Sequence, residues 1–388
     1  GDWLRTQTLE AVCKQSLVHA LLVGVLAALG LSVAATFRSK ETDITHAWAL
    51  GGFAAVLIPA FLFWLLEPTG DGGQVIRGTA MTTYSKAQRA AKRLTQPDEK
   101  TLRWAGLDLP ERFSEGHFLV VGATGSGKTT ALRLLMQSVL PDIVPGSGRR
   151  ALIYDAKRDV LSLISGMNVT CPVVTLNPFD ARSAAWDMAK DIDTPATALQ
   201  VATILIPDED TGPNRYFTDA ARAILAGVMK TLILKTPGAW TFEEVVYVMR
   251  TEGRLRDLFS SRPETRELLD EYFGQARTFD NIKSTIASRM APFETIAALW
   301  SNAERRVSLR DWLAGEFILV LGHDESLRAP MDAINRVLFQ RMAELVINGD
   351  ECRTPRTWFF LDEIREAGKL KALSSLLAKG RSKGARVV

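Results

Sequence analysis

Cysteine is scarce. Cys13, Cys171 and Cys352 are the only three in 388 residues, and no two share a C-x-x-C spacing. That argues against a disulfide framework and a cysteine-based zinc site, and it fits a reducing compartment. Net charge is equally small, +3 from 47 basic and 44 acidic residues, so no global excess announces nucleic-acid binding. No aromatic-rich stretch offers a stacking platform for single strands. An LSGGQ-like signature is missing, which argues against an ABC-type transporter. The given end has no tyrosine, unlike membrane-bound bacterial tyrosine kinases. What is plentiful is apolar: 47% of residues are hydrophobic beside 23% charged. The length of 388 residues is enough for two or three domains. The chain starts at Gly1 and stops in "GARVV", which reads as a strand in progress. We expect neither end to be that of the gene product.

The apolar residues are concentrated. Residues 16–36 read "SLVHALLVGVLAALGLSVAAT", with His19 the one ionisable residue, and 47–66 read "AWALGGFAAVLIPAFLFWLL", with none. About 20 apolar residues cross the hydrocarbon core, so both stretches are expected to be transmembrane helices, with Trp48 and Trp64 at the interfaces. A buried helical hairpin is the alternative, but core helices rarely lose all polar periodicity. The ten-residue loop "FRSKETDITH" is charge-balanced, whereas Arg5 and Lys14 precede the first span and Arg77, Lys86, Arg89, Lys92 and Arg93 follow the second. The basic flanks put both chain ends in the cytoplasm. "EPTGDGG" (67–73) reads as a linker to a body with access to ATP.

"HFLVVG" (117–122) reads as a buried strand, and "GATGSGKT" (122–129) matches G-x-x-x-x-G-K-[ST] in a strand–loop–helix context. Backbone N–H groups of Gly122, Ala123, Thr124, Gly125, Ser126, Gly127, Lys128, Thr129 and Thr130 are placed to cradle phosphates. Lys128 is expected to reach the β- and γ-phosphates, Thr129 to bind Mg²⁺, and the following helix N-terminus to add its dipole. Further strands are expected at "RALIYD" (150–155), "PVVTLN" (172–177), "FILVLG" (317–322) and "WFFLDE" (358–363). Strands alternating with helices imply a parallel sheet covered on both faces, an α/β fold. At the end of "WFFLDE", Asp362 would hold Mg²⁺ and Glu363 would polarise the attacking water. Between 183 and 300 the spacing is helical, and Thr241 with Glu244 forms a capping-box pattern. An all-α insert therefore interrupts the nucleotide-binding sheet. The expected layout is a membrane anchor (1–66), a first nucleotide-binding part (67–182), the insert (183–300) and a second nucleotide-binding part (301–388).

Taken together these features resemble the type IV secretion coupling proteins, the membrane-anchored, TraD/TrwB-like motors of bacterial conjugation. The resemblance is carried by the two spans, "RGTAMTT" (77–83), the P-loop, "YDAKRD" (154–159), "LNPFDARSAAWDM" (176–188), the helical insert, "VSLRDWLAGE" (307–316), "WFFLDEI" (358–364) and "LAKGRSKGARVV" (377–388). It implies a RecA-like motor domain in a homo-hexameric ring at the bacterial inner membrane, using ATP and Mg²⁺. Its task would be to couple the relaxosome, with its relaxase-bound single-stranded DNA, to the channel of a type IV secretion system and to help pump the DNA. The alternative is an ATP-switched receptor that recruits protein substrates without pumping DNA.

The resemblance also implies that Arg381 is an arginine finger reaching a neighbouring subunit's ATP. The other possibility is that Lys379, Arg381, Lys383 and Arg386 form a solvated face. The basic groups near the spans fit anionic lipid or a solvated surface as well as DNA. Mixed charge on the insert fits a solvated face or contact with DNA-processing partners. Two departures stand out. Arg158 occupies a position where the family usually has a glycine-containing pattern, and the chain stops before a glutamine that the family places after the final strand.

Overall fold

The computed structural model describes residues 82–388 apart from 124, 209–214 and 363–369. The two apolar stretches expected to span a membrane lie outside the described residues. Among those described, no helix is long and apolar enough to cross one.

The described chain opens with helix α1 (Tyr84–Leu94) and a hairpin of β1 (Thr101–Trp104) and β2 (Leu107–Pro110). Ala105 and Gly106 turn the hairpin, both with positive φ, as a two-residue turn between right-twisted strands requires. Then come α2 (Lys128–Val139), β3 (Arg150–Asp155), α3 (Val160–Ser165), β4 (Val173–Leu176) and the short β5 (Ala185–Trp186). A helical run follows: α4 (Met188–Asp191), α5 (Pro195–Leu205), α6 (Arg215–Lys235), α7 (Phe242–Met249), α8 (Glu252–Ser260), α9 (Pro263–Phe273), α10 (Ala276–Met290) and α11 (Glu294–Ser301). The chain returns through β6 (Arg306–Val307), α12 (Leu309–Ala314), β7 (Ile318–Gly322), α13 (Arg328–Ile347), β8 (Cys352–Leu361), α14 (Lys371–Lys379) and β9 (Lys383–Val387).

Five strands form one parallel sheet in the order β4-β7-β3-β8-β9. Their apolar runs have no polar alternation because both faces are covered. Ala151, Ile153, Ile318, Val320, Trp358 and Phe360 face α2 and α3. Leu152, Tyr154, Leu319, Leu321 and Phe359 face α13 and the helical run in one continuous core. Trp358, Phe359 and Phe360 are fully buried, each contributing about 1.5–3 kcal/mol of transfer free energy.

One staple joins the two ends of the helical run beside the sheet. β5 pairs with β6 in parallel, so the segment leaves and re-enters at adjacent points. Buried Asp191 ties the two ends together: its carboxylate accepts the Trp186 indole N–H at 2.6 Å and the backbone N–H groups of Leu309 at 2.8 Å and Arg310 at 3.2 Å. Thr241 and Glu244 cap α7 reciprocally, as their spacing indicates.

One element differs from expectation. Residues 117–122 do not form a buried strand. A single ladder bond, Phe118 N–H to Val387 O at 2.8 Å, joins them to the outer edge of β9. Phe118 packs against the sheet, but Leu119 and Val121 are 83% and 84% exposed. The apolar run reads as buried, yet among the described residues nothing covers its second face. Aromatic packing secures it instead: the Phe118 ring lies 4.8 Å from Trp104 and 6.0 Å from Trp358, centroid to centroid.

At the end of β7 the backbone passes close to β4's exit. A Cβ added to Gly322 would sit 2.3 Å from Asn177 Cβ. Gly322→Ala is expected to destabilise the fold by about 1–3 kcal/mol, read as a lowered chemical-denaturation midpoint with unchanged slope.

Candidate nucleotide-binding site

Parallel sheets place their ligand sites beyond the carboxyl ends of the strands. Here β3 ends in Asp155, β7 in Gly322 and β8 runs into Asp362, so three chain reversals open on the same edge. The glycine-rich loop arrives there too. Gly125 and Gly127 have φ of +78° and +87°, a region that side chains disfavour. At Gly122 an added Cβ would meet Ser126 Oγ at 2.4 Å and force that side chain to turn away. The turn closes through Ser126 N–H to Ala123 O at 3.2 Å, and α2 starts at Lys128, so its free N–H groups face the loop.

Lys128 Nζ donates to Gly122 O and Ala123 O, both at 2.9 Å. The ammonium is thus folded over the loop, held by carbonyls that a phosphate would outcompete. Thr129 Oγ1 donates to Asp362 Oδ2 at 3.2 Å. A hydroxyl and a carboxylate meeting beside an anion loop are the hard oxygen donors that Mg²⁺ takes when phosphates and water complete its shell. The loop shape and this donor pair therefore fit a magnesium–nucleotide. The expected residues Gly122, Ala123, Gly125, Ser126, Gly127, Lys128, Thr129, Thr130 and Asp362 are brought together in this way. Thr124 and Glu363 lie outside the described residues.

Two features were not read from the sequence. Lys157 Nζ lies 3.6 Å from Asp362 Oδ2. Asp155, directly before that turn, is a structural carboxylate: it accepts the backbone N–H groups of Asp159 at 3.2 Å and Val160 at 3.3 Å. Burial raises its pKa, against these hydrogen bonds. Arg158 explains why a glycine suits its position, because its φ is +60°. The left-handed region costs a side chain about 1–2 kcal/mol. Arg158 Nη1 donates to Asp324 Oδ2 at 3.0 Å, a contact glycine could not make. The signal was the "AKRD" after a strand, but its direction depends on backbone that spacing does not reveal.

Arg381 lies between α14 and β9, 61% exposed, and pairs with Glu115 of the same chain. Lys379 is exposed as well, but Arg386 corrects the picture of a solvated basic face. It is buried, and its guanidinium donates to the carbonyls of Ser114, Arg381 and Ala385. It braces the approach to the loop against β9. A cleft of about 400 Å³ lies alongside, lined by Lys128 and Asp362 at the site and by Leu132, Leu373 and Leu377.

The fold and site define a P-loop nucleotide-binding protein with a helical insert. A family model described as the type IV secretion-system coupling protein DNA-binding domain matches residues 101–388, and the chain belongs to that family. The coupling protein TraD of Escherichia coli (strain K12) is 23% identical over 380 residues, which is 90% of this chain and 50% of TraD. The chain thus spans about half the length of that curated relative. Among solved structures, the conjugative coupling protein TrwBdeltaN70 in its unbound monoclinic form superposes with a TM-score of 0.61 at 22% identity, over 83% of this chain and 71% of that one. TrwB in complex with ADP and Mg²⁺ gives 0.61 at 22% identity, over 82% and 74%. At that identity these structures establish the shared fold.

His117 links the loop's approach to its neighbours. Its Nδ1 accepts the Val387 N–H at 3.1 Å and its Nε2 donates to Leu377 O at 2.9 Å, a pattern that suits the neutral ring. Burial pushes its pKa below 6.5; the Leu377 bond opposes this, and Arg386 and Arg381 add to it. The unfolded chain therefore binds the extra proton first. Stability from neutral His117 is complete above about pH 6.5 and is lost as pH falls toward the folded value. Denaturation midpoints should fall across that window and fall less in His117→Gln; parallel curves would rule the linkage out. For Lys128→Ala, calorimetry should show nucleotide affinity weakened by about 100-fold or more, with the fold intact by circular dichroism.

Proposed function

We propose that the chain is the nucleotide-driven motor part of a conjugative coupling protein: an ATPase that couples relaxase-bound single-stranded DNA to a type IV secretion channel and helps pump it. The observation that carries this is the meeting of Thr129 and Asp362 at 3.2 Å beside an anion-shaped loop, in a chain belonging to the coupling-protein family.

In this proposal Lys128 exchanges the Gly122 and Ala123 carbonyls for the β- and γ-phosphate oxygens. The loop N–H groups and the start of α2 hold the remaining phosphate charge. Thr129 and Asp362 hold Mg²⁺, which when bound neutralises charge developing on the phosphates. Glu363, next along the chain, orients and deprotonates the attacking water. Arg381 leaves Glu115 and enters a neighbouring subunit's site, and its high exposure supports that freedom. The unit is then a homo-hexameric ring. Residues 16–36 and 47–66 anchor it in the bacterial inner membrane, with N-terminus and motor in the cytoplasm. Exposed Lys86, Arg89, Lys92 and Arg93 on α1 face membrane lipid or DNA. The relaxosome proteins and the inner-membrane channel components are its partners.

Hydrolysis of ATP by the purified chain, with and without single-stranded DNA, tests this. Stimulation by DNA is expected; DNA that neither binds nor stimulates would leave the protein-recruiting, ATP-switched receptor in its place. Arg381→Ala should lower turnover by about 10³–10⁵. Mixed with Lys128→Ala it should regain activity at interfaces that pair an intact Lys128 with an intact Arg381, and no rescue at any ratio would count against a role in trans.

A further inference from the structure

Lys157 and the Thr129 hydroxyl converge on one atom, Asp362 Oδ2, at 3.6 Å and 3.2 Å. The turn that carries Lys157 is fixed from three sides. Asp155 accepts its exit N–H groups from Asp159 and Val160. Arg158, at φ +60°, is held by Asp324 in the segment after β7. Asp159 pairs with Arg133 of α2 at 2.5 Å. A left-handed non-glycine residue persists only where its surroundings determine it, so the direction of Lys157 is built in.

A metal held by Thr129 and Asp362 would stand within a few ångströms of that ammonium, where like charges repel. We propose, on the nucleotide-binding reading above, that Lys157 is a positioning residue. Its ammonium keeps Asp362 turned to Thr129 while no metal is there, and it releases the carboxylate when magnesium–nucleotide binds. Lys157 thereby sets the magnesium concentration at which the site closes on its nucleotide.

The predicted sign is unusual: deleting this cation should tighten magnesium binding. Lys157 is 46% and Asp362 26% exposed, and a half-exposed pair of this kind corresponds to about a two- to five-fold effect. The test uses the full chain, a fluorescent ADP analogue and a magnesium titration at low and high salt; ADP removes any contribution from a γ-phosphate. Lys157→Met should reach half-saturation at about two- to five-fold lower Mg²⁺ than the unsubstituted chain in low salt, with the gap closing in high salt. Lys157→Arg should stay near the unsubstituted value. A residue that only supports the fold would lower the thermal midpoint and leave the magnesium half-point in place. That result, or a shift to higher Mg²⁺, overturns the proposal. An unsubstituted chain that binds no ADP at any Mg²⁺ concentration sinks the nucleotide-binding reading itself.

Discussion

Two motifs 233 residues apart meet in one hydrogen bond, from Thr129 to Asp362, and the sheet exists in the register that permits it. β3 and β8 pair in parallel from Arg150 with Thr357 to Tyr154 with Leu361, so Asp155 and Asp362 finish side by side. A slip of one residue would send every side chain of β8 to the other face. Trp358 and Phe360 on one side, and Phe359 on the other, are fully buried in separate cores. The same aromatic run that fixes the sheet therefore aims the carboxylate.

The stretch "LNPFDARSAAWDM" serves the fold through Asn177, Ser183 and Trp186. Ser183 Oγ accepts the Asn177 N–H at 2.7 Å and donates to Thr175 O at 2.8 Å, turning the chain back on β4. Trp186 donates to Asp191, whose carboxylate also caps the start of α12. Asn177 fills the space that only glycine leaves at 322. The segment welds the helical insert to the sheet, and the insert shares its core with one sheet face. The sheet and the helices thus share one core, without an intervening linker among the described residues.

The glycine-rich loop is supported differently. Its approach is bound to β9 by one ladder bond, by Phe118 between Trp104 and Trp358, and by His117 bridging Val387 and Leu377. Beneath it, buried Arg386 satisfies three backbone carbonyls while exposed Arg381, five residues earlier, pairs with Glu115. Burial divides two arginines of one basic segment into a brace hydrogen-bonded to backbone carbonyls and an ion-paired cation on the surface, since a buried guanidinium must find acceptors inside the protein.

Sequence alone showed the glycine-rich loop pattern, because glycines, a lysine and a hydroxyl at fixed spacing are a local signature, and it showed β3, β4, β7 and β8, because their continuous apolar runs suit a sheet covered on both faces. It also determined the α7 cap and the helical character of the insert, which are local effects. Only tertiary structure decided that 117–122 lies at an edge with Leu119 and Val121 exposed, since strand pairing is a property of neighbours and hydrophobicity does not name them. Only it separated Arg386 from Arg381, which share a basic cluster in the chain but not an environment. And only it brought Lys157 to Asp362, through a left-handed Arg158 and a buried Asp155, because the direction of a turn depends on backbone angles that contacts from distant strands impose.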